Sequence, residues 1–220
     1  MSGIISALSD NNVVPSLFQG LQRMQFEYGE HNGVTIAALI SGRIQQRHFV
    51  KQDFSSFLQK QTLTSCLSLA CFRQKQQDEK YPVHFAATET CALAYHGFID
   101  NLSDIREELL QLGYELDSLC ASEVILLFLR RYLDIEMSAR EASLCVLKRL
   151  KGEFAIIALF ADEQSLVIAQ RGVPMMLFIK ENELYICSDS TACLVQPLML
   201  LEENSLLILR SFQQINQNMG

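Results

Sequence analysis

Met1-Ser2-Gly3-Ile4-Ile5-Ser6-Ala7 is the stretch that decides how this chain is read. Gly3 to Ala7 has the small and apolar residues of a first strand. The residue just ahead of it, Ser2, carries a nucleophilic oxygen. Were Met1 removed, the Ser2 hydroxyl and a free α-amine would share one residue, a nucleophile with its own base. With Met1 in place that nitrogen is an amide and has no basic lone pair.

Outward from this strand the chain alternates periods. Leu17, Leu21 and Met24 form an apolar stripe behind Pro15, which fits the first turn of a helix with Asn12 as its cap. Val34 to Ile40 and Ile44 to Val50 flank Ser41-Gly42 and predict a hairpin. Phe54 to Gln61 predicts a short helix, and Leu67 to Phe72, Val83 to Ala86 and Ala92 to Phe98 predict short strands. Three helices follow, Ser103 to Leu112, Ser122 to Leu133 and Ser138 to Leu150, the last opening with Ser138 and Glu141 in capping-box spacing. Strands return at Ala155 to Phe160, Leu166 to Ala169, Met175 to Ile179, Leu184 to Cys187 and Leu206 to Leu209, with turns at Asp162-Glu163 and Glu181-Asn182. Strands, a helical middle and strands again predict an α+β fold in which helices cover stacked sheets.

No linker or internal repeat divides the 220 residues, so 1–220 is read as a single domain, of a size that buries roughly 70% of its unfolded surface. An apolar fraction of 49% with 20% charged residues is that of a soluble globular chain. No apolar run approaches the roughly 20 residues that span a bilayer, and the start lacks the features of an export signal. A net charge of −7 argues against a nucleic-acid surface. Arg130-Arg131 and Lys148, Arg149 and Lys151 are the basic clusters, and they fit solvated helix ends. The seven cysteines are scattered, without a Cys-x-x-Cys, and read as small buried hydrophobes in a reducing cytoplasm. His31, His48, His84 and His96 are isolated, so neither a metal site nor a cofactor is expected.

Several short strings then occur in an order that matters. They are Ser2-Gly3-Ile4; Gly20-Leu21-Gln22-Arg23-Met24-Gln25-Phe26; Ala70-Cys71-Phe72-Arg73; Tyr95-His96-Gly97-Phe98-Ile99-Asp100-Asn101; Arg106-Glu107-Glu108-Leu109 with Gly113-Tyr114 and Ser122-Glu123-Val124; Arg171-Gly172-Val173-Pro174; and Cys187-Ser188-Asp189. Together with Leu150-Lys151-Gly152 they resemble the class II glutamine amidotransferases, a family of N-terminal-nucleophile hydrolases. The likeness is to the glutaminase domain of glucosamine-6-phosphate synthases in particular. It covers nearly the whole chain and implies a four-layer αββα sandwich.

The resemblance also assigns roles, and the residues present depart from them. The family begins Met-Cys-Gly-Ile, so Ser2 stands where a catalytic cysteine is implied. Gly97 matches the glycine of the oxyanion loop, and His96 replaces an asparagine whose side-chain amide donates to the oxyanion. Arg73 matches the arginine that pairs with the α-carboxylate of glutamine, although Gln74-Lys75-Gln76-Gln77 replaces Trp-Ala-Thr-His after it. Cys71 replaces a histidine, and Tyr81-Pro82 stands where the family has His-Pro. Ala121, just before Ser122, replaces an aspartate that holds the substrate ammonium. Glu27 stands near the place of an arginine, reversing its charge.

Residues that serve turns and packing are retained, and those implied to touch glutamine are replaced. The expectation is a glutaminase-like domain that lacks glutaminase activity and acts by binding or regulation. The alternative is an active N-terminal-serine amidohydrolase or glutaminase, with Ser2, His96 and Gly97 as its catalytic groups, supplying ammonia to a separate sugar-phosphate aminotransferase or isomerase partner.

Overall fold

A computed structural model describes residues 3–28, 31–49, 63–74, 83–116, 120–193, 197 and 199–210. Its elements, in chain order, are β1 (Gly3–Ser9), α1 (Val14–Tyr28), β2 (His31–Ile40), β3 (Arg43–Phe49), β4 (Leu67–Gln74), β5 (Val83–Ala87) and β6 (Cys91–Ile99). Then come α2 (Leu102–Gln111), α3 (Ala121–Leu133), α4 (Ala139–Arg149), β7 (Gly152–Phe160), β8 (Ser165–Arg171), β9 (Met176–Lys180) and β10 (Glu183–Cys187). A 3₁₀ turn (Ser190–Ala192), β11 (Met199–Leu200) and β12 (Leu206–Leu209) complete them. The helix expected at Phe54 to Gln61 lies outside the described residues. Sequence reading placed the other long elements and missed the 3₁₀ turn and the two-residue β11.

Every strand pair within the two sheets is antiparallel. One sheet has the order β11-β9-β10-β1-β4-β2-β3 and the other β12-β8-β7-β6-β5. Alternation along β1 explains the layering: Ile4 and Leu8 enter a core shared by both sheets, whereas Ile5 and Ala7 enter a second core under α1. β4 alternates likewise, with Leu69 and Cys71 between the sheets and Ala70 and Phe72 under the helix. In the five-stranded sheet Ala92 and Ala94 face the other sheet. Leu93 and Tyr95 instead meet a third core built by α3 and α4 through Val124, Phe128 and Val146. Three cores between four layers make the αββα sandwich. Both faces of β1 are covered, and all seven of its residues are buried.

Local chemistry fixes the connections. Asn12 accepts from the Val14 N–H at the start of α1 (3.2 Å) and from the Ser65 N–H (3.0 Å), so the cap also pins the chain entering β4. Ser138 and Glu141 form the expected reciprocal capping box at α4. Ser41-Gly42 and Glu181-Asn182 turn their hairpins with positive φ at both residues. No helix of the described residues is long and apolar enough to cross a membrane.

Candidate active site

β1 opens at Gly3, opposite Phe72 of β4. A Cβ on Gly3 would stand 2.5 Å from the Met24 Cε and 2.8 Å from a Phe72 ring carbon, so α1 sits directly over the start of the strand. The start is also tied sideways. The Ile4 N–H donates to Ser188 Oγ (3.1 Å), and the Ser188 N–H donates back to the Ile4 carbonyl (3.1 Å). Asp189 accepts from the N–H (2.9 Å) and the hydroxyl (2.8 Å) of Thr191, which builds the 3₁₀ turn that follows. The Ser188-Asp189 string is therefore the bracket that holds the beginning of β1.

Ser2 itself lies outside the described residues. Arg73 is the residue of β4 one beyond Phe72, opposite Gly33 of β2. Its backbone thus continues the end of the sheet at which β1 begins. Cys71 is buried in the inter-sheet core, as a small hydrophobe would be. Glu27 falls within α1.

Across the sandwich, His96 of β6 pairs with Val83 of β5 and Ala155 of β7, both of which belong to the inter-sheet core. Side chains directly opposite in an antiparallel ladder share a face, so the half-buried imidazole is on the side of this sheet that looks toward β1. Tyr95, the residue before it, points the other way into the helical core and stacks on His84 with centroids 4.5 Å apart. Burial raises the Tyr95 phenol well above its ordinary range.

Gly97 has φ +125°, and a Cβ there would lie 2.2 Å from the Glu153 carbonyl oxygen and 2.9 Å from the Phe154 Cα. It is an internal residue of β6, opposite Phe154. The need for glycine thus comes from the backbone of β7, whatever else its open face serves.

Ala121 and Ser122 open α3. The Ala121 methyl is half-buried against the helical core. Ser122 is fully buried; its hydroxyl donates to the Phe85 carbonyl (2.8 Å) and contacts the Cys120 sulfur (3.0 Å). Its hydrogen bond therefore ties the helix to β5. The acid of this first turn, Glu123, is exposed and lines a surface groove with Gln46, Phe85 and Arg130.

The arrangement brings Gly3 and the end of β4 together in one sheet, with Ser188 just past the end of β10 beside them, and His96 and Gly97 in the sheet stacked on it. Ser188 was legible only as a turn residue, because its partner Ile4 is 184 positions away.

A small residue before a doubly covered strand, in a sandwich of two antiparallel sheets between helices, is the architecture of N-terminal-nucleophile hydrolases. The same fold occurs in the solved glutamine phosphoribosylpyrophosphate amidotransferase of B. subtilis, with a TM-score of 0.76 at 16% identity over 94% of this chain and 47% of that one. A family model described as a glutamine amidotransferase domain matches residues 67–195, more than half of the chain. Among curated proteins, the glutamine–fructose-6-phosphate aminotransferase (isomerizing) of Chlamydia trachomatis is 31% identical over 88% of this chain and 33% of its own length. That of Bartonella henselae is 30% identical over 87% and 32%. The chain belongs to the class II glutamine amidotransferase family. It spans about a third of the length of these curated relatives.

Proposed function

We propose that this glutamine amidotransferase domain lacks glutaminase activity and acts as a binding or regulatory module for a partner protein. The observation that carries the reading is at the start of α3. There Ala121 offers a methyl group to an apolar core, and the Ser122 hydroxyl is occupied by the Phe85 carbonyl. Neither supplies an anion for the ammonium of an amino-acid substrate, and a lost charged hydrogen bond costs about 1.5–3 kcal/mol. The other replacements add to this. A serine hydroxyl is far less acidic than a thiol with a pKa of about 8.5, and removing one oxyanion donor typically lowers rates by about 10²–10³. The partner fitting the family is a sugar-phosphate aminotransferase or isomerase, because the curated relatives named for that reaction are about three times as long as this domain.

The second reading, an N-terminal-serine amidohydrolase, is favoured by one observation: His96 faces the sheet that carries β1. In it Ser2 attacks a substrate carbonyl, its α-amine takes the proton, and Gly97 with His96 stabilises the oxyanion. Intact mass separates the two readings, since retention of Met1 leaves Ser2 without a base.

The test is glutamine itself. Calorimetry is expected to show no binding in the millimolar range, and an ammonia assay no turnover. A dissociation constant below about 1 mM, roughly −4 kcal/mol, would overturn the reading. Repair sharpens it. Ser2→Cys with Met1 removed is expected to stay silent, whereas Ser2→Cys, His96→Asn and Ala121→Asp together bring back a trace of ammonia release. Robust turnover by the single variant would leave a glutaminase disabled at one residue.

A further inference from the structure

Among the described strands four stand at sheet edges, and three of them are guarded. β3 ends the larger sheet; its Ile44 N–H donates to the Glu89 carbonyl (2.8 Å), Arg47 Nη1 donates to the Gln46 carbonyl (3.0 Å), and Arg43, Arg47 and His48 are exposed along it. β5 ends the smaller sheet beside α3, whose Ser122 hydroxyl occupies the Phe85 carbonyl. β11 presents only two residues. Charge, cover and shortness are the devices by which sheet edges avoid unwanted pairing. β12 has none of them. It reads Leu206-Leu207-Ile208-Leu209, apolar at every position, and among the described residues its one strand neighbour is β8.

The apolar surface continues beyond the strand. Leu201 ties the end of β11 to β8, its N–H donating to the Met175 carbonyl (2.9 Å) and its carbonyl accepting from Gln170 Nε2 (2.6 Å). β11 and β12 therefore share one wall of the sandwich. On that wall Met199 is 48% exposed and Leu200 59%, and Leu206, Leu207 and Ile208 are half-buried. Charge sits at the two ends of the segment, with Glu202 and Glu203 before β12 and Arg210 after it.

We propose that this wall is a self-association surface on which a second copy of this chain pairs its β12 antiparallel to the first across a two-fold axis, joining the two five-stranded sheets into one of ten strands. The pattern of charge selects this occupant. Antiparallel pairing about a two-fold axis reverses the segment, so the Arg210 of each chain meets the end at which the other carries Glu202 and Glu203. A parallel pairing would set like charges together. The side chains agree with the same arrangement. With the axis at Leu207, Leu206 stands opposite the partner's Ile208, and both of these residues pack on the helical side of the sheet. Leu207, which packs on the inter-sheet side, then stands opposite its own counterpart. The outward amides and carbonyls of β12 become ladder bonds, and the exposed Met199 and Leu200 beside the seam leave water with it. Such pairing needs no intact glutamine site.

Sedimentation velocity of the full chain over a wide range of concentration should show a reversible shift from one chain mass to twice that mass. Amide hydrogen exchange at Leu206–Leu209 should slow as the dimer forms, while the β3 edge stays unchanged. Leu206→Lys sets a charge opposite Ile208 twice per dimer and should raise the dissociation constant by about tenfold or more. Leu200→Lys, at an exposed position, should weaken the dimer as well and carries the test if Leu206→Lys does not fold. Arg210 also pairs with Glu163 within the chain (2.7 Å), so a rescue decides the role of its charge. Arg210→Glu should weaken the dimer, and Arg210→Glu with Glu202→Lys should restore it. A chain that stays monomeric at every concentration would overturn the proposal. So would a dimer that both lysine variants leave intact, one whose protection falls outside β12, or a charge-swapped double variant no tighter than Arg210→Glu.

Discussion

At Gly97 a side-chain carbon would stand 2.2 Å from the Glu153 carbonyl oxygen, at a backbone φ of +125° that L-residues rarely adopt. Gly97→Ala must either move β7 away from β6 or accept the clash. The expected cost is about 3 kcal/mol or more, from strain and overpacking together, visible as a lower urea midpoint. An unchanged midpoint would mean that the two strands are less closely paired than described. Ser122 and Ser188 show what sequence alone could and could not say at this scale. Their strings matched the family in order, but the hydroxyl of each is held by backbone that is distant in sequence, Phe85 in one case and Ile4 in the other. Such bonds have no local signature. Ala121 was legible for the opposite reason: a methyl group offers the same chemistry in any fold.

The elements were legible where their periodicity was complete. The strand residues Ile4-Ile5 and Ala155 to Phe160, and the Ser138/Glu141 spacing, depend on neighbours a few positions away, so the sequence contains their cause. β11 was not legible, because two residues carry no period and Met199–Leu200 is defined only by pairing with β9. The cap on α4 provides a test of local origin. Ser138→Ala removes the acceptor for the Glu141 N–H and should lower stability by about 1 kcal/mol, measured by denaturant unfolding. Ser138→Asp should keep most of that stability, since a carboxylate oxygen accepts the same bond. A loss as large as that of alanine would show that the hydroxyl matters for something other than the cap.

On the scale of the molecule, one carboxylate joins the helical layer. Glu108 of α2 binds Arg149 at the end of α4 and Arg131 of α3 (2.5 Å). The hydrogen bonds from Arg149 and then Arg131 hold the Glu108 carboxyl below its ordinary range. A carboxylate whose pKa is lower in the folded state stabilises above its unfolded pKa, and that stabilisation is lost as pH falls through the folded value. Glu108→Gln should therefore cost about 1 kcal/mol at neutral pH, a modest figure because Arg149 is half exposed to screening water. The difference from the parent should shrink below about pH 4. A gap that persists in acid would assign the loss to packing instead of charge.

The position of β1 has a consequence for how the molecule is made. Gly3–Ser9 leaves the ribosome long before Glu183–Cys187, yet β10 and β4 flank it on both edges. Until β10 has been synthesised, the strand can be zipped on one side only, and its other edge is a row of bare amides and carbonyls on an apolar ribbon. Completing that seam means closing a loop of nearly the whole chain, the kind of long-range pairing that slows folding and exposes intermediates to aggregation. Among the described strands, β1 therefore precedes all its partners and keeps one apolar edge unpaired until residues 183–187 have been made.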